Sequence, residues 1–339
     1  MKKTRVTSRD VAQAAGVSYN TVSLVMHNSP LVAPTTKAHV QEVIAQLGYQ
    51  PHAAAAALRS SRSQTIGYFV QKELKAFNAE IDVFYNQLLR AITSCTEDAG
   101  YHVLLTSSSS EQQVASLLNS GRIDGALINW RRGDTILKQL VEKAIPTVLV
   151  GRDSGLLPIS WVKADEEGGA YQATRHLVER GHRRFGLVTA GEDNDAIVSE
   201  RVHGFERALA EVGILIEPTF IVHGDWTHRS GYELALYLLT LQPRPTAMFV
   251  LSELMAAGVL QAAQSLGLHI PGDLALITTE DSPWVEYVRP QLSAVHVPMY
   301  EVGTLSAEML LTLLDGTTDA PQQVTLPTKF VVRESSVML

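Results

Sequence analysis

Between residues 7 and 27 the apolar positions fall in two short helical stripes separated by a glycine. Val11, Ala12 and Ala15 make the first, with Thr7 placed to cap the free backbone N–H groups, Asp10 three residues further on, and Gly16 as the stop. Val17 plugs the turn and Ser18 caps a second stretch. There Val22, Val25 and Met26 face inward, which leaves Tyr19, Asn20, Thr21, Ser23 and Leu24 outside. Two helices joined by so short a turn form a helix-turn-helix, in which the N-terminal end of the second helix enters a DNA major groove. A third helix is predicted over residues 35–47, with Pro34 in its first turn, Val40, Val43, Ile44 and Leu47 as the apolar face, and Gly48 as the stop.

Past this head the pattern changes. The run Ala53 to Leu58 contains five consecutive alanines, excellent helix formers, yet seven or eight residues are too few for a stable isolated helix in water. From Thr65 onward, short apolar runs alternate with helical patterns. Residues 66–70, 103–105, 125–128 and 147–150 read as buried strands, with helices at 83–99, 111–119 and 134–144 between them. A second set begins near Trp161, with strands at 185–188, 220–222, 248–250 and 274–277 and helices near 168–180, 200–212, 229–241 and 253–266. Such alternation predicts an α/β body of two doubly wound parallel sheets behind the three-helix headpiece.

Composition sharpens this picture in three places. The chain has 339 residues and a net charge of −7, but residues 1–64 carry seven Lys/Arg against Asp10 and Glu42, a net +5, so the rest carries −12. A basic head on an acidic body suits a protein that meets phosphates with one part only. Cys95 is the only cysteine, so neither an internal disulfide nor a thiolate metal cage is expected, and no metal or cofactor is assigned. No apolar run of about 18 residues and no leader pattern is seen, so a cytoplasmic protein with no membrane contact is expected.

The run Asp10-Val11-Ala12-Gln13-Ala14-Ala15-Gly16-Val17-Ser18-Tyr19-Asn20-Thr21-Val22-Ser23 resembles the headpiece pattern D-V-A-x-x-A-G-V-S-x-x-T-V-S of the lac repressor family of bacterial transcription regulators. The resemblance continues through Arg175-His176-Leu177, Gly181-His182-Arg183-Arg184, Arg201-x-x-Gly204-Phe205, Gly224-Asp225-Trp226, Pro271-x-Asp273, Pro290-x-Leu292 and Val331-Val332-Arg333-Glu334-Ser335. It implies a periplasmic-binding-protein-like body in which the chain crosses three times between two lobes that close on a small molecule. The expected division is a headpiece at 1–49, a hinge helix and linker at 50–64, an N-terminal lobe at 65–162 with 296–323, and a C-terminal lobe at 163–295 with 324–339. Two departures from the family pattern stand out. Ala33 occupies a position usually held by a capping Ser or Thr, and residues 71–83 form a longer, atypical segment beside the pocket mouth.

The resemblance also supplies roles. The expected DNA contacts are Thr7, Ser18, Tyr19, Asn20, Thr21, Ser23, Leu24, Thr36, His52, Ala55 and Leu58, with Leu58 as an apolar wedge for the minor groove. Ligands of doubly wound sheets bind beyond the carboxyl ends of the strands, which points to Gln71, Asn129 with Trp130, Arg152, Ser252 with Glu253, and Glu280 with Asp281. Matching to the family selects Arg201, Trp226, Ser252 and Glu280. The expected effector set is Gln71, Asn129, Arg152, Arg201, Trp226, Ser252 and Glu280. A fork of N–H groups, a flat indole and carboxylates together suit a sugar. The function expected is that of a homodimeric repressor of a palindromic operator, released by a sugar. A corepressor-dependent regulator answering to a nucleoside or purine is the alternative. A carbohydrate-active enzyme built on Glu253 and Glu280 is more remote, because no catalytic motif accompanies the pair.

Overall fold

The computed structural model describes residues 6–26, 28–49, 62–70, 83–106, 115–117, 119–129, 135–190, 195–318 and 320–337. They fall into two compact units, one ending at Ser63 and the other beginning at Gln64.

The first unit holds α1 (Ser8–Ala14), α2 (Tyr19–Met26) and α3 (Pro34–Leu47). Thr7 and Asp10 cap α1 reciprocally: the Asp10 N–H donates to Thr7 Oγ1 at 3.4 Å and the Thr7 N–H donates to Asp10 Oδ2 at 2.7 Å. Ser18 Oγ accepts the Thr21 N–H at 3.0 Å at the start of α2. Val11, Val22 and Val40 are fully buried at the centre, ringed by Ala12, Ala15, Val25 and Val43. One expectation fails here. Leu47 is exposed, because the chain reverses at Gly48 (φ 60°) and Tyr49 packs onto the core in its place. No side chain caps α3 at Ala33.

The second unit is built on two six-stranded sheets. Its strands in chain order are β1 (Thr65–Val70), β2 (His102–Thr106), β3 (Gly125–Asn129), β4 (Thr147–Val150), β5 (Ser160–Ala164), β6 (Phe185–Ala190), β7 (Ile221–Gly224), β8 (Ala247–Val250), β9 (Ala275–Thr279), β10 (Ser293–His296), β11 (Gln323–Leu326) and β12 (Lys329–Val331). The first sheet has the order β11-β5-β4-β3-β1-β2 and is parallel throughout. The second has the order β12-β10-β9-β8-β6-β7, with only β12 antiparallel. Strands β3, β4, β6, β8 and β9 are buried at every position, as continuous apolar runs covered on both faces must be.

The covering helices are α4 (Val83–Asp98), α5 (Thr135–Glu142), α6 (Glu166–Glu179), α7 (Ala196–Ala210), α8 (His228–Thr240), α9 (Glu253–Ser265) and α10 (Met299–Leu314). They pack as the pairs α4 with α10, α6 with α7, and α8 with α9. Glycine sets the approach of α8 and α9: a Cβ at Gly231 would lie 2.2 Å from the Met255 carbonyl oxygen, and one at Gly258 2.2 Å from that of His228.

The strand pairing corrects the expected crossings. β5 belongs to the first sheet rather than opening a second set, so a boundary at 162/163 cuts it, and a boundary at 323/324 likewise cuts β11. The chain leaves the first sheet at Asp165, returns after His296 and leaves again after Leu326. The first and third crossings are tied together, since the Asp165 N–H donates to the Leu326 carbonyl at 2.8 Å and Thr328 Oγ1 to the Asp165 carbonyl at 2.9 Å.

Candidate functional site

A small cleft opens between the two lobes, each a sheet with its helices. Gln87 of α4 and Met299 of α10 line it from the first lobe, Glu253, Glu280, Asp281 and Ser282 from the second, and His296 and Val297 from the middle crossing. Parallel strands bring these groups together, because β8 and β9 end side by side and the residues after them point beyond the sheet. Ser252 ends the β8 turn as the N-cap of α9, its Oγ accepting the Leu254 N–H at 3.2 Å, and this places Glu253 in the first helical turn. Glu280 follows β9 with φ 69°, a left-handed conformation that a side chain adopts only under constraint.

The electrostatics of the cleft are uneven. Glu280 keeps some exposure as a residue, yet its carboxyl is desolvated and is pushed up to about 8; the Glu253 charge adds to the rise and the Arg201 guanidinium opposes it. Burial likewise pushes Glu253 up, although the Ser282 N–H donates to its Oε2 at 3.2 Å. Asp281 is compensated, with Arg333 Nη1 at 2.7 Å from its Oδ1 and His296 Nδ1 at 3.6 Å from its Oδ2.

Of the expected effector residues, the cleft lining includes Glu280, while Ser252 directly precedes the lining residue Glu253 in sequence. Arg201 is 2% exposed, and two of its three nitrogens are engaged: its Nε donates to Glu166 at 2.8 Å, and its Nη1 donates to the Leu251 carbonyl and Thr279 Oγ1 at 3.1 Å each. Trp226 is half-buried at φ 68° and packs against buried apolar residues. Asn129 is buried and donates from Nδ2 to the Val150 carbonyl at 3.1 Å. Arg152 is buried too and reaches across the lobes to Asp195, with both contacts at 3.3 Å. Gln71 and Trp130 lie outside the described residues. Gln87, His296, Val297 and Met299 were not anticipated. They come from a helix face and a crossing rather than from strand ends, and no local motif marks them.

On the first unit, two of the five α2 residues expected outside are half-buried. Tyr19 is 44% and Leu24 36% exposed, Asn20 is exposed, and Thr21, Ser23 and Thr36 are half-buried. Thr7 and Ser18 are exposed caps. His52, Ala55, Leu58 and most of the atypical 71–83 segment lie outside the described residues. Among the described residues there is no helix long and apolar enough to cross a membrane, and no group of three or more His, Cys, Asp or Glu placed to hold a metal ion.

Comparison with known proteins gives a consistent picture. Residues 7–52 match the model of bacterial regulatory proteins of the lacI family, and residues 174–336 match a periplasmic binding protein-like domain. Catabolite control protein A of Priestia megaterium is 32% identical over 98% of this chain and 99% of its own length. The HTH-type transcriptional regulator CelR of Thermobifida fusca is also 32% identical, again over 98% and 99%. Among solved structures, a CelR–cellobiose complex superposes with a TM-score of 0.74 at 30% identity, covering 98% of this chain and 100% of that one. The lac repressor dimer bound to operator and the anti-inducer ONPF gives a TM-score of 0.86 at 27% identity, covering 99% and 100%.

Proposed function

Because this chain belongs to the lacI family of bacterial regulatory proteins, we propose that it is a homodimeric repressor of a two-fold symmetric operator, released when a sugar closes the cleft between its lobes. It is a DNA-binding, ligand-responsive transcription regulator; its relatives and structural neighbours are regulators, which sets aside the enzyme alternative built on Glu253 and Glu280. The observation that carries the finer reading is the coexistence in one chain of an exposed polar helix start at Tyr19, Asn20 and Leu24 and a cleft lined from both lobes. The dimer is supported by likeness to the operator-bound lac repressor dimer over 99% of the chain. A single headpiece reads only a few base pairs, so two are needed for a specific site.

A sugar is supported by the lining, in which carboxylates accept from hydroxyls and the Gln87 amide both donates and accepts. A CelR relative holds cellobiose. The effector set is kept as proposed at Arg152, Arg201, Trp226, Ser252, Asn129, Gln71 and Glu280, and extended to Glu253 and Gln87. The DNA set is the one expected from the sequence. The test is fluorescence anisotropy of the full chain on a selected operator at one fixed salt concentration, with and without a sugar panel. Binding as a dimer, weakened at least tenfold by one sugar, is expected. A monomer on the operator, or DNA binding indifferent to every sugar, overturns the reading; tighter binding with ligand turns it into corepression.

A further inference from the structure

The cleft is short of positive charge. Its described lining carries three carboxylates, Glu253, Glu280 and Asp281, and no lysine or arginine. The cations nearest to it are already committed: Arg201 to Glu166 at 2.8 Å, and Arg333 to Asp281 at 2.7 Å and to Glu286 at 3.0 Å. Asp281 is thereby neutralised. Glu253 and Glu280 are not, and each lies in the other's field.

Two further observations point to a ligand rather than to a solvated acidic rim. Ser282 is 5% exposed and lines the cleft, and its Oγ, although close to the Glu253 carboxylate, makes no hydrogen bond of proper geometry with it or with any other group. A buried hydroxyl left in this condition is costly, and a ligand donor or acceptor in the cleft would satisfy it. Nor do the carboxylates converge as ion ligands: among the described residues no group of three or more acidic, His or Cys side chains is placed to hold a metal.

Resting on the reading of this cleft as the effector site, we propose that the effector is a polyhydroxylated molecule bearing a protonated amine, an amino sugar or its short oligomer. Its ammonium sits between Glu253 and Glu280, and its hydroxyls meet Gln87, Ser282 and His296. Charge-assisted bonds from one ammonium to two desolvated carboxylates are stronger than neutral ones. Binding also couples to protons. Glu280 faces Arg201 of α7, Glu253 of α9 and Glu166 of α6, and its carboxyl sits at about 8 before the amine arrives, so fixing it as carboxylate at pH 7 releases a proton.

The experiment is calorimetric titration of the full chain with matched pairs: glucose and glucosamine, galactose and galactosamine, mannose and mannosamine, cellobiose and the chitosan dimer. N-acetylglucosamine serves as a neutral control, and each titration is run in two buffers of different ionisation enthalpy. One amine should bind at least tenfold more tightly than its neutral partner and release a proton at pH 7. Glu280→Gln and Glu253→Gln, checked as folded by their melting curves, should each bring that preference towards one. A neutral sugar bound as tightly as its amine overturns the cationic assignment while leaving the sugar reading in place. Failure of every amine to bind overturns the assignment as well, whereas the regulator reading stands or falls on operator binding.

Discussion

Glu280 joins an unfavourable backbone conformation to an unfavourable charge, since it sits at φ 69° with a desolvated carboxyl beside Glu253. The folded chain holds this group at about 8 against an ordinary value of 4.5, so between those two values the unfolded chain ionises it and the folded chain resists. The stability it contributes is fully present below pH 4.5 and is lost as pH rises through 8. Glu280→Gln should accordingly melt above the wild type at pH 8, with the gap closing by pH 4.5; equal melting temperatures at pH 8 in scanning calorimetry would contradict this. The acid at the strand end was legible in the sequence because strand-end positions are where ligand-facing residues collect. What was not legible is the engagement of Arg201 by Glu166, 35 residues earlier. Glu166 lies in the first turn of α6, where an acidic residue is favourable to the helix dipole, and only the packing of α6 on α7 brings the two together at 2.8 Å.

At the scale of elements, legibility followed burial. Strands β3, β4, β6, β8 and β9 are apolar on both faces and stood out as unbroken runs, whereas β5 and β11 alternate along their length and gave no such signal. Their sheet assignment rests on long-range pairing, which no local pattern encodes. The helical headpiece was readable almost residue by residue, because capping and a heptad-like stripe are local. Two predictions follow from it. Ala33 stands at the N-cap of α3 in an extended conformation (φ −56°, ψ 142°) without a side-chain bond, so Ala33→Ser should stabilise that helix by about 1 kcal/mol. Slower amide exchange across Pro34–Leu47 in the full chain is the readout, and unchanged exchange counts against the cap. Asn20, exposed in the first turn of α2, is placed for a base edge; Asn20→Ala should relax specificity at one base pair per half-site by about 1–3 kcal/mol. A selection experiment that returns the wild-type site with undiminished preference would remove Asn20 from readout.

Across the whole second unit, two ion pairs bridge the lobes. Arg152, just beyond β4, binds Asp195 at 3.3 Å through both terminal nitrogens, and Lys163 of β5 binds Glu200 at 2.6 Å and Asp153 at 3.4 Å. Asp195 caps α7 through the Ile197 N–H, and Glu200 and Arg201 are neighbours on that helix, so the contacts that hold the lobes together share α7 with the buried guanidinium near Glu280. Burial works against ionising Asp195, but Arg152 together with the Ile197 and Val198 backbone N–H groups more than offsets it and holds the carboxyl below its usual range. The pair therefore favours this lobe arrangement and should weaken only in acid. Arg152 and Asp195 are both largely buried, so removing one partner strands the other: Arg152→Met should cost about 3 kcal/mol in urea unfolding, and Arg152→Met with Asp195→Asn, which keeps the helix cap, should recover most of it. Effector affinity should fall in the single variant even though Arg152 is not in the described lining of the cleft, because a ligand that needs this arrangement binds more weakly in proportion to the fraction of chains that adopt it. By linkage the effector must then favour the same arrangement to the same degree. A single variant that unfolds at the wild-type urea concentration and binds effector unchanged would show that the lobes are held by their crossings alone.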